Sequence, residues 1–406
     1  MNAAYPDRID PPPRSLETTT RETIAVRSAL ESDTQHGAVV PPLHLSSTFA
    51  FEGFGQKRTY DYTRSGNPSR DALAEALAAS EGGAGASVVA SGMAAVTLVC
   101  QLLKPDDLVV VPHDCYGGCY RLFTHLAGRG LFNLAVVDQN DEAALADALA
   151  REPRLVWIET PSNPLLRLVD IERVAARARQ AGALVVVDNT FLSPAGQSPL
   201  ALGADLVVHS TTKYINGHSD VVGGAVIAAD AGLAEELAWW ANCLGLTGAP
   251  FDAWLTLRGL RTLHPRIAQH NANAQAVAEF LKVQDAVQAV HYPGLASHPH
   301  YDLARRQQRI AGGMVSFELA GGEAAVARFV AGLSCFSLAE SLGGVESLIA
   351  HPATMTHAAM DPEARAVAGI SDGLLRLSVG IEAVEDLLQD LGEALDRATQ
   401  VGQAVA

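Results

Sequence analysis

A chain of 406 residues, 48% hydrophobic and 18% charged, has the composition of an ordinary globular protein with ample core material. Its net charge of −16 argues against nucleic acid or an anionic membrane surface as the main partner, so an anionic ligand must be held by local dipoles or a few arginines. Five cysteines, an odd number without a C-x-x-C pair, fit free thiols in a reducing compartment, and the cytoplasm is the expected location.

The opening "MNAAYPDRIDPPPRS" lacks the apolar segment of a secretory signal, and no apolar run is long enough to span a bilayer. Residues 1–63 are Pro-rich, polar and weakly periodic, which predicts an extended arm rather than a domain. From 64 to 261 short β-branched runs alternate with Ala-rich helical stretches. The runs are "ASVVAS", "DDLVVVPH", "FNLAVVDQ", "RLVWIETPSNP", "ALVVVDNTF", "ADLVVHSTTK" and "GGAVIAAD". The helix in "IERVAARARQAG" closes on a capping glycine. Apolar strands separated by helical lengths predict an α/β domain built of βαβ units, with a mainly parallel seven-stranded sheet covered on both faces. Residues 262–406 predict a smaller α+β domain. The stretch "LRGLRTLHPRIAQHNANAQAVAEFLK" reads as one long helix bent at Pro265, "GGMVSFELAG" and "GLLRLSVG" as strands, and "EAVEDLLQDLGEALDRATQ" as an acidic closing helix.

Ligands of open α/β sheets sit outside the carboxyl ends of the strands. "VVASGMAAV" places Ser91, Gly92 and Met93 at a helix N-terminus, which suits a phosphate as well as it suits an ordinary strand-to-helix turn. "VVPHDCYGGCYRLF" sets Tyr116 before two glycines, where it stacks on a planar ring or is a half-buried loop tyrosine. Arg121, five residues on, pairs with a carboxylate or is a solvated helix arginine. Cys115 and Cys119 lie four apart with no second ligand pair, so no metal site is expected. "IETPSNPLL" holds Asn163 between turn formers. "LVVVDNTF" ends an apolar strand on Asp188, either an Asx-turn residue or the partner of a pyridinium nitrogen. "VVHSTTKY" supplies Ser210, Thr212 and Lys213. The chain has only four lysines, and of these Lys213 alone follows a buried-looking strand. A single such lysine is ordinarily a solvated charge; here hydroxyls for a phosphate and an amine for a Schiff base stand together.

Pyridoxal 5′-phosphate explains the whole set: phosphate site, stacking ring, ring-nitrogen partner and Schiff-base lysine on successive strands. "STTK" also matches the S-x-x-K of penicillin-recognising acyl enzymes, but the chain has no K-T-G or S-D-N, and the parallel-sheet pattern disagrees.

The stretch "SPAGQSPLALGADLVVHSTTKYINGHSDVVGG" from Ser193 resembles the lysine signature of the Cys/Met-metabolism pyridoxal-phosphate enzymes. "PPLHLSSTF", "YDYTRSGNPSRDALAEALAASEGGAGA", "VPHDCYGGCYRLF", "ELAWWANCLGLTGAPFDAWLTLRGLRTLHPR" and "LAESLGGVESLIAHPATMTHAAM" extend the resemblance from Thr34 to Leu391. "HDCYGGCYRLF" and "AESLGGVESL" look most like the bacterial members that form cystathionine by γ-replacement. The resemblance implies a fold-type I, aspartate aminotransferase-like transferase, assembled as a homotetramer (a dimer of dimers) with shared active sites. It implies Lys213 as Schiff-base lysine and proton shuttle, Asp188 at the ring nitrogen, Tyr116 on the ring, and Thr190 among the cofactor-binding residues. Gly92, Met93, Ser210 and Thr212 would take the phosphate, joined by Tyr62 and Arg64 of a neighbouring subunit. Arg376 would bind the substrate α-carboxylate, with Asn163, Ser341, Glu340 and Arg121 also facing substrate. The implied reaction makes cystathionine from O-succinyl-L-homoserine and L-cysteine. Its alternatives are α,γ-elimination of cystathionine and sulfhydrylation of an O-acyl-homoserine. Glu340 discriminates, since members that cleave at Cβ tend to carry an aromatic residue there. Cys119, where a small hydroxyl residue is expected, and Pro352 are the departures from the pattern.

Overall fold

The structure is a computed structural model that describes residues 19–356, 365 and 368–399. Residues 1–18 of the expected arm and 357–360 of the quoted "HPATMTHAAM" lie outside the described residues.

All seven apolar runs form strands of one sheet. They are β1 (Gly85–Val89), β2 (Leu108–Pro112), β3 (Asn133–Val137), β4 (Leu155–Glu159), β5 (Leu184–Asp188), β6 (Leu206–His209) and β7 (Gly224–Ala228). The order is β1-β7-β6-β5-β4-β2-β3, and only β7 runs antiparallel to its neighbours. The inner runs are apolar throughout because helices cover both faces, while edge strand β3 leaves Asn133 and Val136 exposed. Val109, Val111, Trp157 and Val208 face a layer containing Val96, Leu98 and Phe123. The alternate residues Val110, Val156, Ile158 and Val187 face Leu145, Ile171 and Val174. The helix Ile171–Gln180 does end on glycine: Gly182, at φ 75°, takes the left-handed position that follows the cap.

A second sheet has five strands, in the order β10-β11-β12-β9-β8. They are β8 (Val287–His291), β9 (Met314–Leu319), β10 (Ser337–Leu338), β11 (Leu348–Ala350) and β12 (Leu374–Ser378). The helices Leu263–Lys282 and Val384–Thr399 pack on it, burying Val277, Leu281, Phe317, Leu377 and Leu391. Only β9 and β12 were legible as strands; two- and three-residue segments such as β10 and β11 carry no readable alternation.

The expected single helix bent at Pro265 is instead two helices, Pro250–Leu260 and Leu263–Lys282. Pro265 falls in the first turn of the second, where its missing N–H removes no helical bond. The break is held by Arg266. Its buried guanidinium donates to Gly259 O at 2.7 Å, a carbonyl at the end of the first helix. It also donates to Tyr214 O at 2.8 Å and Ile215 O at 3.3 Å, just past Lys213. No described helix is long and apolar enough to cross a membrane.

Candidate active site

Lys213 lies in a tight turn leaving β6, where Gly217 N–H bonds Lys213 O at 2.8 Å and Asn216 N–H bonds Thr211 O at 3.0 Å. Its Nζ donates to Ser341 Oγ at 2.8 Å. Burial, and then the nearby Arg376 charge, lower the amine pKa to about 8, against the opposing charge of Glu340. A neutral amine is therefore accessible close to neutral pH, as a proton-accepting group requires.

Ser341 also joins this amine to a cation. Its backbone O accepts from Arg376 Nη2 at 2.9 Å, and Asn163 Oδ1 accepts from Arg376 Nη1 at 2.9 Å. Arg376 sits in the middle of β12, paired to β9 and β11, and is only 3% exposed. It forms no ion pair among the described residues, its Nε has no partner, and burial lowers its pKa to about 10. A buried guanidinium with neutral acceptors only is a site waiting for an anion. Ser341 holds φ 92°, a left-handed conformation that non-glycine residues rarely adopt.

Asp188 ends β5 beside Thr190. Its Oδ1 accepts Thr190 N–H at 2.9 Å, so the Asx-turn reading is correct as far as it goes. The carboxyl is nevertheless mostly buried without an ion-pair partner among the described residues, and burial raises its pKa against the Thr190 hydrogen bonds and the His209 charge. Thr190 Oγ1 in turn accepts Ser210 N–H at 2.9 Å, which ties the ends of β5 and β6 together.

The helix Gly92–Cys100 starts at this edge. Ser91 Oγ caps Ala94 N–H at 3.1 Å, while the Gly92 and Met93 N–H groups have no acceptor among the described residues. A Cβ on Gly92 would lie 2.8 Å from Ser210 Cβ, so only glycine brings these N–H groups against the serine. Ser210 Oγ forms no hydrogen bond with the described residues, whereas Thr212 Oγ1 donates to Gly223 O at 3.2 Å and accepts Gly223 N–H at 3.0 Å. Tyr116 precedes the helix Gly117–Gly128 and is 43% exposed as a residue. Gly118 lies under its ring: a Cβ there would be 2.6 Å from Tyr116 Cε1 and 3.1 Å from Met93 Sδ.

Two hydrogen-bonded groups thus form, Lys213–Ser341–Arg376–Asn163 and Asp188–Thr190–Ser210, with Gly92, Met93 and Tyr116 packed at their edge. Glu340 is exposed beside Ser341, and its charge acts on Lys213, Tyr116 and Arg376. Arg121 is exposed, forms no ion pair among the described residues, and acts electrostatically on Tyr116. Tyr62 and Arg64 are not brought to this site: Arg64 donates to Asn242 O at 2.9 Å and Oδ1 at 2.7 Å. Cys119 is core, packed with Cys115, Phe123 and Trp157.

These residues fit pyridoxal phosphate. An amine, a buried carboxyl without a cation, a hydroxyl and two N–H groups without protein partners, and an aromatic face are what its aldehyde, ring nitrogen, phosphate and ring require. Sequence reasoning passed over Gly118, Arg266 and Glu159. The last had a signal, since "LVWIE" ends in an acid as "LVVVD" does.

Residues 22–396 match the family model described as Cys/Met metabolism PLP-dependent enzyme. A curated Escherichia coli (strain K12) protein, cystathionine gamma-synthase, is 60% identical over 370 residues, 91% of this chain and 96% of that one. Cystathionine beta-lyase of Lactococcus lactis subsp. cremoris (strain MG1363) is 46% identical over 93% of this chain and 100% of its own length. Among solved structures, cystathionine gamma synthase from Xanthomonas oryzae pv. oryzae in complex with cystathionine superposes with a TM-score of 0.93, at 64% identity over 94% of this chain and 98% of the other.

Proposed function

The chain belongs to the Cys/Met metabolism PLP-dependent enzyme family, and from that premise we propose that it forms cystathionine by γ-replacement, joining L-cysteine to O-succinyl-L-homoserine with release of succinate. The observation that carries this is the buried Arg376, without an ion pair among the described residues and joined through Ser341 to the Lys213 amine, with the Glu340 charge beside them. The kinship to proteins named cystathionine gamma-synthase, one solved with cystathionine, supports the same reading.

Arg376 and Asn163 hold the α-carboxylate of the amino-acid substrate by charge-assisted hydrogen bonds. Bound pyridoxal phosphate supplies the electron sink that makes the substrate Cα–H acidic. Lys213 Nζ takes the Cα proton and moves a proton at Cβ, and its lowered pKa suits both directions of transfer. Ser341 Oγ keeps that amine oriented. Asp188, set by Thr190, would hold the ring nitrogen, and the Tyr116 ring would cover the face. The Gly92 and Met93 N–H groups and the Ser210 hydroxyl would hold the phosphate, and the Thr212 hydroxyl would join them on turning from Gly223 O. Arg121, exposed and near Tyr116, suits the distal carboxylate of a succinyl group, which an acetyl ester lacks.

Tyr62 and Arg64 complete the phosphate site of a second copy in a homotetramer built of dimers, with residues 1–63 as its arm and 64–261 and 262–406 as its domains. The arm supports this reading: Val39, Leu45, Phe51, Phe54 and Tyr62 all expose apolar surface. Five free cysteines favour the cytoplasm.

The test is incubation of purified protein with O-succinyl-L-homoserine, with and without L-cysteine, and with cystathionine alone. Cystathionine formed only with cysteine, and broken down slowly, supports the synthase. Rapid release of cysteine and 2-oxobutanoate from cystathionine, with little use of the ester, moves the assignment to γ-elimination. An acetyl ester used in preference to the succinyl ester, with sulfide as the better acceptor, moves it to a sulfhydrylase.

A further inference from the structure

Glu159 ends β4 as Asp188 ends β5, and the two residues are paired in register. Glu159 is 5% exposed and forms no ion pair among the described residues. Burial and the Asp188 charge push its carboxyl pKa well above the ordinary value, while backbone N–H groups of Tyr116 and Asn163 pull the other way. A buried carboxyl without a cation is costly and calls for a specific use. Its Oε2 accepts Tyr116 N–H at 2.7 Å, across 43 residues of sequence. Tyr116 is the residue before its helix, so its N–H has no place in the helical ladder. The backbone that carries the Tyr116 ring is therefore held by Glu159, and the ring itself lies against Gly118, where a Cβ would meet it at 2.6 Å.

We propose that Glu159 is a positioning residue for the cofactor: through its bond to Tyr116 N–H it sets the height and tilt of the Tyr116 ring over the plane that Asp188 faces. Neighbouring strand ends then present the edge contact and the face contact, so the sheet itself fixes the spacing between them. The proposal rests on the assignment of Tyr116 to the cofactor face made above.

The experiment uses the purified holoenzyme with Glu159→Asp, Glu159→Gln, Tyr116→Ala and the Glu159→Asp/Tyr116→Ala double variant. Two quantities are read: the dissociation constant of pyridoxal phosphate, and the visible circular-dichroism band of the bound cofactor, which reports how its ring is held. Glu159→Asp withdraws the acceptor by one methylene and is expected to weaken cofactor binding about tenfold and shrink the band. Glu159→Gln keeps an acceptor oxygen and stays within about threefold of wild type. In the Tyr116→Ala background the aspartate substitution adds less than about twofold, because both act through the same ring. Should Glu159→Asp fail to fold, Glu159→Asn gives the shortened acceptor without its charge and completes the same cycle. Wild-type affinity in the shortened variants, a loss in Glu159→Gln equal to theirs, or an effect undiminished without the Tyr116 ring each overturns the proposal. A wild-type protein with no visible band would instead overturn the cofactor assignment on which it rests.

Discussion

Ser341 serves Lys213 with its side chain and Arg376 with its backbone: Oγ accepts from Nζ at 2.8 Å, and the carbonyl accepts from Nη2 at 2.9 Å. The two services are separable by mutation. Ser341→Ala deletes the first and keeps the second. It is expected to lower kcat about tenfold while KM for the homoserine ester stays within about threefold, because the amine loses its orientation and the carboxylate clamp survives. Steady-state kinetics with both substrates check this, and a KM-dominated defect would reverse the assignment.

Arg376→Lys keeps a positive charge but loses the planar fork and the simultaneous bonds to Asn163 and Ser341. KM for the ester is expected to rise about thirtyfold, with a smaller fall in kcat. Equal KM values for mutant and wild type would remove Arg376 from substrate binding.

Burial lowers the Lys213 pKa from 10.5 to about 8. Below that value both folded and unfolded chains carry the proton, and the cost of burying the charge is present in full. Between about pH 8 and pH 10.5 the unfolded chain binds the proton and the folded chain does not, so this residue's contribution to stability rises with pH. Urea midpoints of the cofactor-free protein, compared with those of Lys213→Met, are expected to move in favour of wild type between pH 8 and pH 10. A difference independent of pH would place the amine at its ordinary pKa.

Arg266→Met would leave the Tyr214, Ile215 and Gly259 carbonyls without their shared donor in a buried setting. A loss of about 3 kcal/mol in unfolding free energy is expected. It should be accompanied by reduced turnover, since two of those carbonyls belong to the turn that presents Lys213. Denaturant unfolding and activity measured on the same samples separate this from a purely local effect.

The central sheet was legible because its inner strands are buried on both faces and therefore write themselves as apolar runs, and edge strand β3, with Val136 exposed, still carries the β-branched residues of its buried face. Asp188 and the Ser210–Lys213 segment were legible for the related reason that polar residues interrupt such runs at their ends. The helix break at residues 261–262 was not, because what holds it is Arg266 reaching back to Gly259 and across to Tyr214, a tertiary bond with no local signature. Ser341 and Arg376 entered through family resemblance alone; a positive φ and a buried strand arginine cannot be read from neighbours in sequence. Glu159 shows the converse case, visible as a strand-end acid yet without meaning until Tyr116 stands beside it.

The Ser341 bridge has a stereochemical consequence. On the proposed assignment, a substrate with its carboxylate on Arg376 and its distal chain toward Arg121 would turn its Cα–H to Lys213 in one hand only. Its mirror image keeps the same two anchors only by turning that hydrogen away. Because Ser341 bonds both Arg376 and Lys213, the proposed carboxylate anchor and proton acceptor would be held at a fixed spacing, and discrimination between enantiomers would follow from that one serine.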